Sequence, residues 1–215
     1  MGLAENTLIV FTADHGNMLG DLNRWFKGVM YEGSTRIPLL IKAPGTSPFS
    51  AHFNRGTVIP NIVENIDVMP TLCELAGVPL PSQGIQGRSL TKLVAGTDPD
   101  WKELAFAERG SSMVRTAQYK FIKNAKKNER RGGAAELYDL TKDPLETNNL
   151  ADDPVHAATL QEFAARLEAW QKDIPPVPVI EGVTPQAPGD GSAPVERQKK
   201  TDRKRKRATQ PPAPR

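Results

Sequence analysis

The 215 residues contain a single cysteine, Cys73. One thiol rules out a disulfide framework within the chain and any zinc cage built on cysteine. No apolar run is long enough to span a membrane. The opening Met1-Gly2-Leu3-Ala4-Glu5 reads as the end of a helix and a turn, not as a signal peptide. No internal repeat is present. Aliphatic residues are scarce as well: a hydrophobic content of 38% and a mean hydropathy of -0.46 are low for a wholly folded enzyme. The shortage is uneven. Residues 175–215 hold 9 of the 19 prolines and almost no aliphatic clusters. They carry 9 of the 28 Lys and Arg against 4 of the 25 Asp and Glu, which leaves residues 1–174 at a formal −2. The pI of 9.0 therefore belongs to this tail and implies no basic face on the rest. Such a segment cannot offset an ordering entropy of about 1–2 kcal/mol per residue and is expected to be disordered.

What is present falls into two grammars. Thr7-Leu8-Ile9-Val10-Phe11-Thr12 and Ile37-Pro38-Leu39-Leu40-Ile41 are unbroken apolar runs. They predict strands buried on both faces, as in a parallel sheet between helices. Val58 to Glu64 is a weaker strand candidate. Asp67 is placed to cap a helix whose apolar face is Val68, Met69, Leu72, Leu75 and Ala76, with Gly77 at its C-terminal cap. Cys73 lies on that face and reads as a small core hydrophobe.

From Leu104 onward the runs are short and polar residues interleave: Leu104–Phe106, Met113–Thr116, Tyr119–Ile122 and Glu136–Leu140. These predict a small antiparallel sheet with one wet face, with Asn124 to Gly133 as an exposed hairpin loop. Asp153 caps a helix that has Pro154 at its first position. Leu160, Phe163, Leu167 and Trp170 then recur at helical spacing, so this helix should lie on the small sheet. The domain reading is residues 1–100 for an α/β part, 101–174 for the antiparallel part with its packed helix, and 175–215 for the Pro-rich basic tail.

The first apolar run ends in "TADHGNMLGDLNRWFKG", residues 12–28. Ligands of α/β sheets bind outside the carboxyl ends of strands. Asp14 offers a hard oxygen and His15 a nitrogen, Gly16 permits the turn, and Lys27 can return a positive charge to the same mouth. A metal-binding pair with an ammonium suits a tetrahedral oxyanion such as sulfate or phosphate. Taken singly, the same residues read as a turn, a solvated lysine and, at Trp25, a packing anchor.

Residues 6–45 resemble the C-terminal metal- and sulfate-binding region of the sulfatase family. The order and spacing of strand, Asp14-His15-Gly16, Gly20, Trp25, Lys27-Gly28, Tyr31-Glu32 and Arg36-Ile37-Pro38 carry the resemblance. "IDVMPTLCELAGVPLP" (66–81), "GIQGRSL" (84–90) and "ELYDLTKDPLETNNLA" (136–151) extend it over roughly residues 3–172. The resemblance implies an alkaline-phosphatase-like fold, with a large mixed sheet between helices and then a small antiparallel subdomain. It implies that Asp14 and His15 are two ligands of a divalent cation, calcium in most members. Many members carry Asn where His15 stands, and that nitrogen ligand also admits manganese. It implies that Lys27 contacts the sulfate group.

Two departures accompany it. Asp21-Leu22-Asn23 stands where relatives often read acidic-His-Gly. The Cys/Ser-x-Pro/Ala-x-Arg motif, from which the family makes its formylglycine nucleophile, is absent from these residues; Cys73 is followed by Glu74-Leu75-Ala76. The expected protein is thus the C-terminal part of a sulfatase, holding half a site and inactive alone. Its substrate is a sulfate ester, and the full-length parent is periplasmic or secreted. A phosphonate or phosphate monoester hydrolase of the same superfold is the alternative. A non-catalytic protein that binds nucleic acid or an acidic surface through Lys199-Lys200 and Arg203-Lys204-Arg205-Lys206-Arg207 is a third reading, set against a solvated tail without aromatic residues to stack on bases. Nothing in the residues specifies an oligomeric state.

Overall fold

Ile9–Thr12 (β1) and Leu39–Lys42 (β2) form within the two apolar runs. They pair antiparallel, with Phe11 opposite Leu40 and Thr12 opposite Leu39. This corrects the expectation of a parallel sheet buried on both faces. One side packs inward, where Leu39 and Ile41 join Ile59 and Val63 against Leu90, Leu93 and Trp101. On the other side Phe11 and Leu40 are 61% and 59% exposed. Among the described residues, 3–53, 56–125 and 133–174 of this computed structural model, no third strand joins either edge. The expected tail, 175–215, and the centre of the expected hairpin loop, 126–132, lie outside the described residues.

Residues 58–64 form no strand. Pro60 removes a donor, and the Ile62 carbonyl accepts from the Trp101 indole at 2.7 Å in place of a strand neighbour. Val68–Leu75 (α2) is the helix expected there, closed as a Schellman turn in which Gly77 (φ +67) donates to Glu74 and Val78 to Cys73. Its buried side, however, is Pro70 and Thr71, while Met69 and Leu72 point outward. Hydrogen bonds set that rotation: the Leu90 amide donates to Thr71 at 2.9 Å and the Thr91 hydroxyl to Glu74 at 2.7 Å. Asp67 does not cap α2 with its side chain. Fully buried, it accepts instead from the backbone amides of Glu64 (2.8 Å) and Arg88 (2.9 Å) and pairs with Lys102 at 2.7 Å. The backbone crosses closely here, because a Cβ on Gly87 would sit 2.0 Å from the Ile66 carbonyl oxygen.

The short helix Thr91–Val94 (α3) leads to an antiparallel meander: Ala105–Arg109 (β3), Ser111–Arg115 (β4), Tyr119–Lys123 (β5) and Ala135–Asp139 (β6). All four expected strands are present. The wet face is not. Side chains alternate across the pleat, and both sides are covered. Val114, Phe121 and Leu137 meet Phe163 and Leu167 of Ala157–Asp173 (α4). Met113, Ile122 and Tyr138, on the other side, meet Met18, Met30 and Tyr31 from the segment after β1. The helix therefore lies on the sheet as its apolar stripe required, with Trp170 stacked on Phe106 at 4.8 Å. Asp153 accepts from the Val155 amide at 2.9 Å and caps the leading turn Pro154–His156. No helix among the described residues is long and apolar enough to cross a membrane.

Candidate functional site

The end of β1 brings Asp14, His15 and Lys27 together. Lys27 Nζ lies 2.5 Å from His15 Nε2, and Asp14 Oδ2 lies 3.3 Å from the same nitrogen. His15 Nδ1 is 2.8 Å from the Gly16 carbonyl, to which it can only donate. With Nδ1 turned to that carbonyl, Nε2 is the nitrogen that faces both the Lys27 ammonium and the Asp14 carboxylate. The Asp14 side chain is 85% exposed, and its Oδ1 accepts from the His15 amide at 3.0 Å.

Asp14 and His15 supply one oxygen and one nitrogen donor. Among the described residues no group of three His, Cys, Asp or Glu forms a metal cluster. The pair fits as part of a cation shell, two ligands of a set that other groups would complete. Lys27 and a cation compete for one lone pair, that of His15 Nε2.

Gly16 serves a different purpose from the flexibility expected of it, since its φ is not positive. A Cβ there would lie 2.2 Å from the Gly33 carbonyl oxygen, and the Gly16 amide donates to Ser34 at 2.9 Å. The Asp-His-Gly turn thus rests backbone-on-backbone against Glu32–Thr35 (α1). The loop between the turn and α1 is contorted. Leu19, Leu22 and Asn23 have φ near +50 and Gly20 has φ +112. Left-handed leucines cost about 1–2 kcal/mol each. Leu22 packs against the Met18 and Met30 cluster. Trp25 is no packing anchor: it and Phe26 are both exposed, and Met18, Met30 and Tyr31 hold the loop.

Two buried polar clusters fasten this loop to the small sheet. Glu136 accepts from Tyr31 at 2.8 Å, from Tyr138 at 2.5 Å and from Asn124. Burial and the Glu136 charge push the Tyr31 hydroxyl up to about 12 and raise Tyr138 too. Arg24 lies over the Tyr31 ring at 5.0 Å. In the second cluster Arg115 donates to both oxygens of Glu32, at 3.0 and 3.1 Å. Lys120, with a side chain 0% exposed, pairs with Glu32 at 2.7 Å and Glu146 at 2.8 Å. Burial alone would raise the Glu32 carboxyl, but Lys120 and Arg115 outweigh it and lower it; for Glu146 burial prevails and raises it.

No local pattern marks the contacts that join loop to sheet, because Glu32 lies 83 residues from Arg115 and Tyr31 lies 105 from Glu136. A cavity lined by Asn23, Arg24, Tyr31, Glu136, Tyr138 and Asn149 opens beside the first cluster. None of Asp14, His15 and Lys27 is among the residues that line it; Asp14 and Lys27 are exposed and His15 is half-buried.

Residues 20–173 match the family described as N-sulphoglucosamine sulphohydrolase, C-terminal. A choline-sulfatase of Rhizobium meliloti is 37% identical over 171 residues, covering 75% of this chain and 31% of its own length. The structure of BT4656 in complex with its substrate D-glucosamine-2-N,6-O-disulfate superposes with a TM-score of 0.62 at 31% identity, over 80% of this chain and 35% of that one. The phosphonate monoester hydrolase of Agrobacterium radiobacter does so with a TM-score of 0.62 at 27% identity, over 80% and 36%. The chain spans about a third of the length of these relatives.

Proposed function

The chain belongs to the sulfatase family, as its C-terminal region, and on that premise we propose that it supplies one half of the anion site of a sulfuric-ester hydrolase. The observation that carries the proposal is the convergence of the Lys27 ammonium with Asp14 and His15 at the end of β1. Lys27 faces the sulfate oxygens and stabilises the charge that builds on them in the transition state. Asp14 and His15 hold a divalent cation, calcium or manganese, which neutralises charge on the bound ester when present. His15 keeps Nδ1 on the Gly16 carbonyl and presents Nε2. Among the described residues none has the setting of a nucleophile. The formylglycine motif is absent from the sequence, and Cys73 lies 3.7 Å from the Met69 sulfur on α2. Turnover therefore needs the segment that aligns with the other two-thirds of the relatives.

The test is a titration of the isotopically labelled chain with inorganic sulfate, with and without Mn2+. Sulfate should shift the amides of Lys27 and Gly28, and Mn2+ should broaden those of Asp14 and His15. Lys27→Ala should abolish the first response and keep the second; Asp14→Ala should do the reverse. No sulfate response in the wild type, or multiple turnover of a chromogenic sulfate ester that survives Cys73→Ala, contradicts this reading. The likeness to a phosphonate monoester hydrolase favours one second reading on the same residues. A chain that prefers phosphate or methylphosphonate to sulfate in this titration would support it.

A further inference from the structure

Lys120 stands on β5, on the side of the sheet away from α4, and its ammonium is wholly sealed from water. Besides Glu32 and Glu146 it donates to the Met30 carbonyl at 3.0 Å and to the Thr35 hydroxyl at 3.4 Å. Three of its four partners, residues 30, 32 and 35, thus lie on the piece of chain that follows Lys27. The Glu146 carboxylate turns back to the same place, its Oε2 accepting from the Glu32 amide at 2.6 Å. Two carboxylates face two cations, so the cluster is charge-balanced.

From this cluster two short paths reach the site. Met30 is three residues from Lys27, a tether of at most about 10 Å of extended chain. Ser34, between Glu32 and Thr35, accepts the Gly16 amide of the Asp-His-Gly turn. The four residues of α1 therefore have the small sheet on one side and the site backbone on the other.

We propose that Lys120 is a positioning residue for the anion site. By holding Met30, Glu32 and Thr35, it fixes where α1 presents the Ser34 carbonyl and so sets the Asp14–His15 turn and Lys27 relative to each other. In this way the antiparallel subdomain determines the geometry of the site. In naming the site the proposal rests on the sulfatase reading; the latch itself does not.

Removing Lys120 alone leaves the buried Glu146 carboxylate without its cation and endangers folding. The informative variant is Lys120→Met/Glu146→Gln, which deletes one charge of each sign and leaves Glu32 paired to Arg115. Hydrogen exchange on the full chain is the first readout. The Gly16 amide should exchange at least about tenfold faster, while Val114 and Phe121 amides in β4 and β5 change by less than about threefold. Sulfate affinity, read at the Lys27 and Gly28 amides, should fall at least about tenfold. Glu146→Gln alone, which keeps Lys120 on Glu32, should stay within about threefold of wild type on both readouts. An unchanged Gly16 amide, or an equal acceleration throughout β4 and β5, would overturn the assignment; the latter would make Lys120 a general stabiliser of the sheet. If the wild type gives no sulfate response, the sulfatase-site reading fails, and Gly16 exchange still decides the latch.

Discussion

Gly16→Ala is a test of how the site is held. The added Cβ would meet the Gly33 carbonyl oxygen at 2.2 Å and the Gly33 carbonyl carbon at 3.1 Å. Both are backbone atoms, so no side-chain rotation relieves the clash. Either the Asp-His-Gly turn or α1 must shift by about 1 Å, and the Gly16 amide then loses the Ser34 carbonyl. Overpacking costs about 1–3 kcal/mol and a lost hydrogen bond about 0.5–1.5, so the total is roughly 2–4 kcal/mol. With a urea slope of about 2 kcal/mol/M the midpoint should fall by about 1–2 M. Gly33→Ala is the control. Its Cβ first meets the Met18 sulfur at 3.0 Å, and the far end of a thioether can move. That variant should lose less than about 1 kcal/mol. A Gly16→Ala midpoint within error of wild type, or a larger loss for Gly33→Ala, would refute the claim that backbone contact at Gly16 sets the turn.

Phe163→Ala removes the ring at the centre of the α4–sheet contact and should cost about 3–5 kcal/mol in urea unfolding, with the far-UV signature of α4 reduced in step. Lys102→Met leaves the fully buried Asp67 carboxylate without its cation and should cost about 3–5 kcal/mol; a loss below about 1 kcal/mol would mean the charge finds water. Asp139 governs an acid transition. Burial opposes its ionisation, but hydrogen bonds from Thr141, Lys142 and Gln118 outweigh that and hold its carboxyl down at about 2, against an ordinary 3.8. A lowered folded value gives stability that is complete above the unfolded value and lost as the pH falls toward the folded one. Stability should therefore drop between pH 4 and 2, and Asp139→Asn should flatten that slope in acid titrations followed by tryptophan fluorescence.

The four strands of the meander were legible because Val114, Phe121 and Leu137 alternate with other residues at a period of two. Their misread feature was the environment of the alternate positions. Arg115, Lys120 and Glu136 look like residues facing water, yet they face Glu32, Glu146 and Tyr31. A local pattern reports that a side chain is polar, and only the tertiary structure reports whether its partner is water or a distant carboxylate. The exposed side of α2 failed for a related reason. Its Met69 and Leu72 edge is the more apolar, but hydrogen bonds at Thr71 and Glu74 decide the rotation. Asp14, His15 and Lys27 stand out by their order along the chain, and the structure brings the three side chains together. Glu32 and the "DPLE" run carry no role that the sequence displays, since nothing short of the folded structure pairs Glu32 with Lys120 and Lys120 with Glu146.

The β1–β2 ribbon has a practical consequence. Its outer face shows Ile9, Phe11 and Leu40, and among the described residues no further strand pairs with either of its edges. An apolar ribbon with open edges is a template for strand addition. At the concentrations used for spectroscopy, colloidal behaviour should therefore limit the chain before unfolding does. A lysine at position 11 or 40 is the change that should raise the usable concentration, because a charge there breaks the sticky face while leaving Val10 and Ile41 on the packed side.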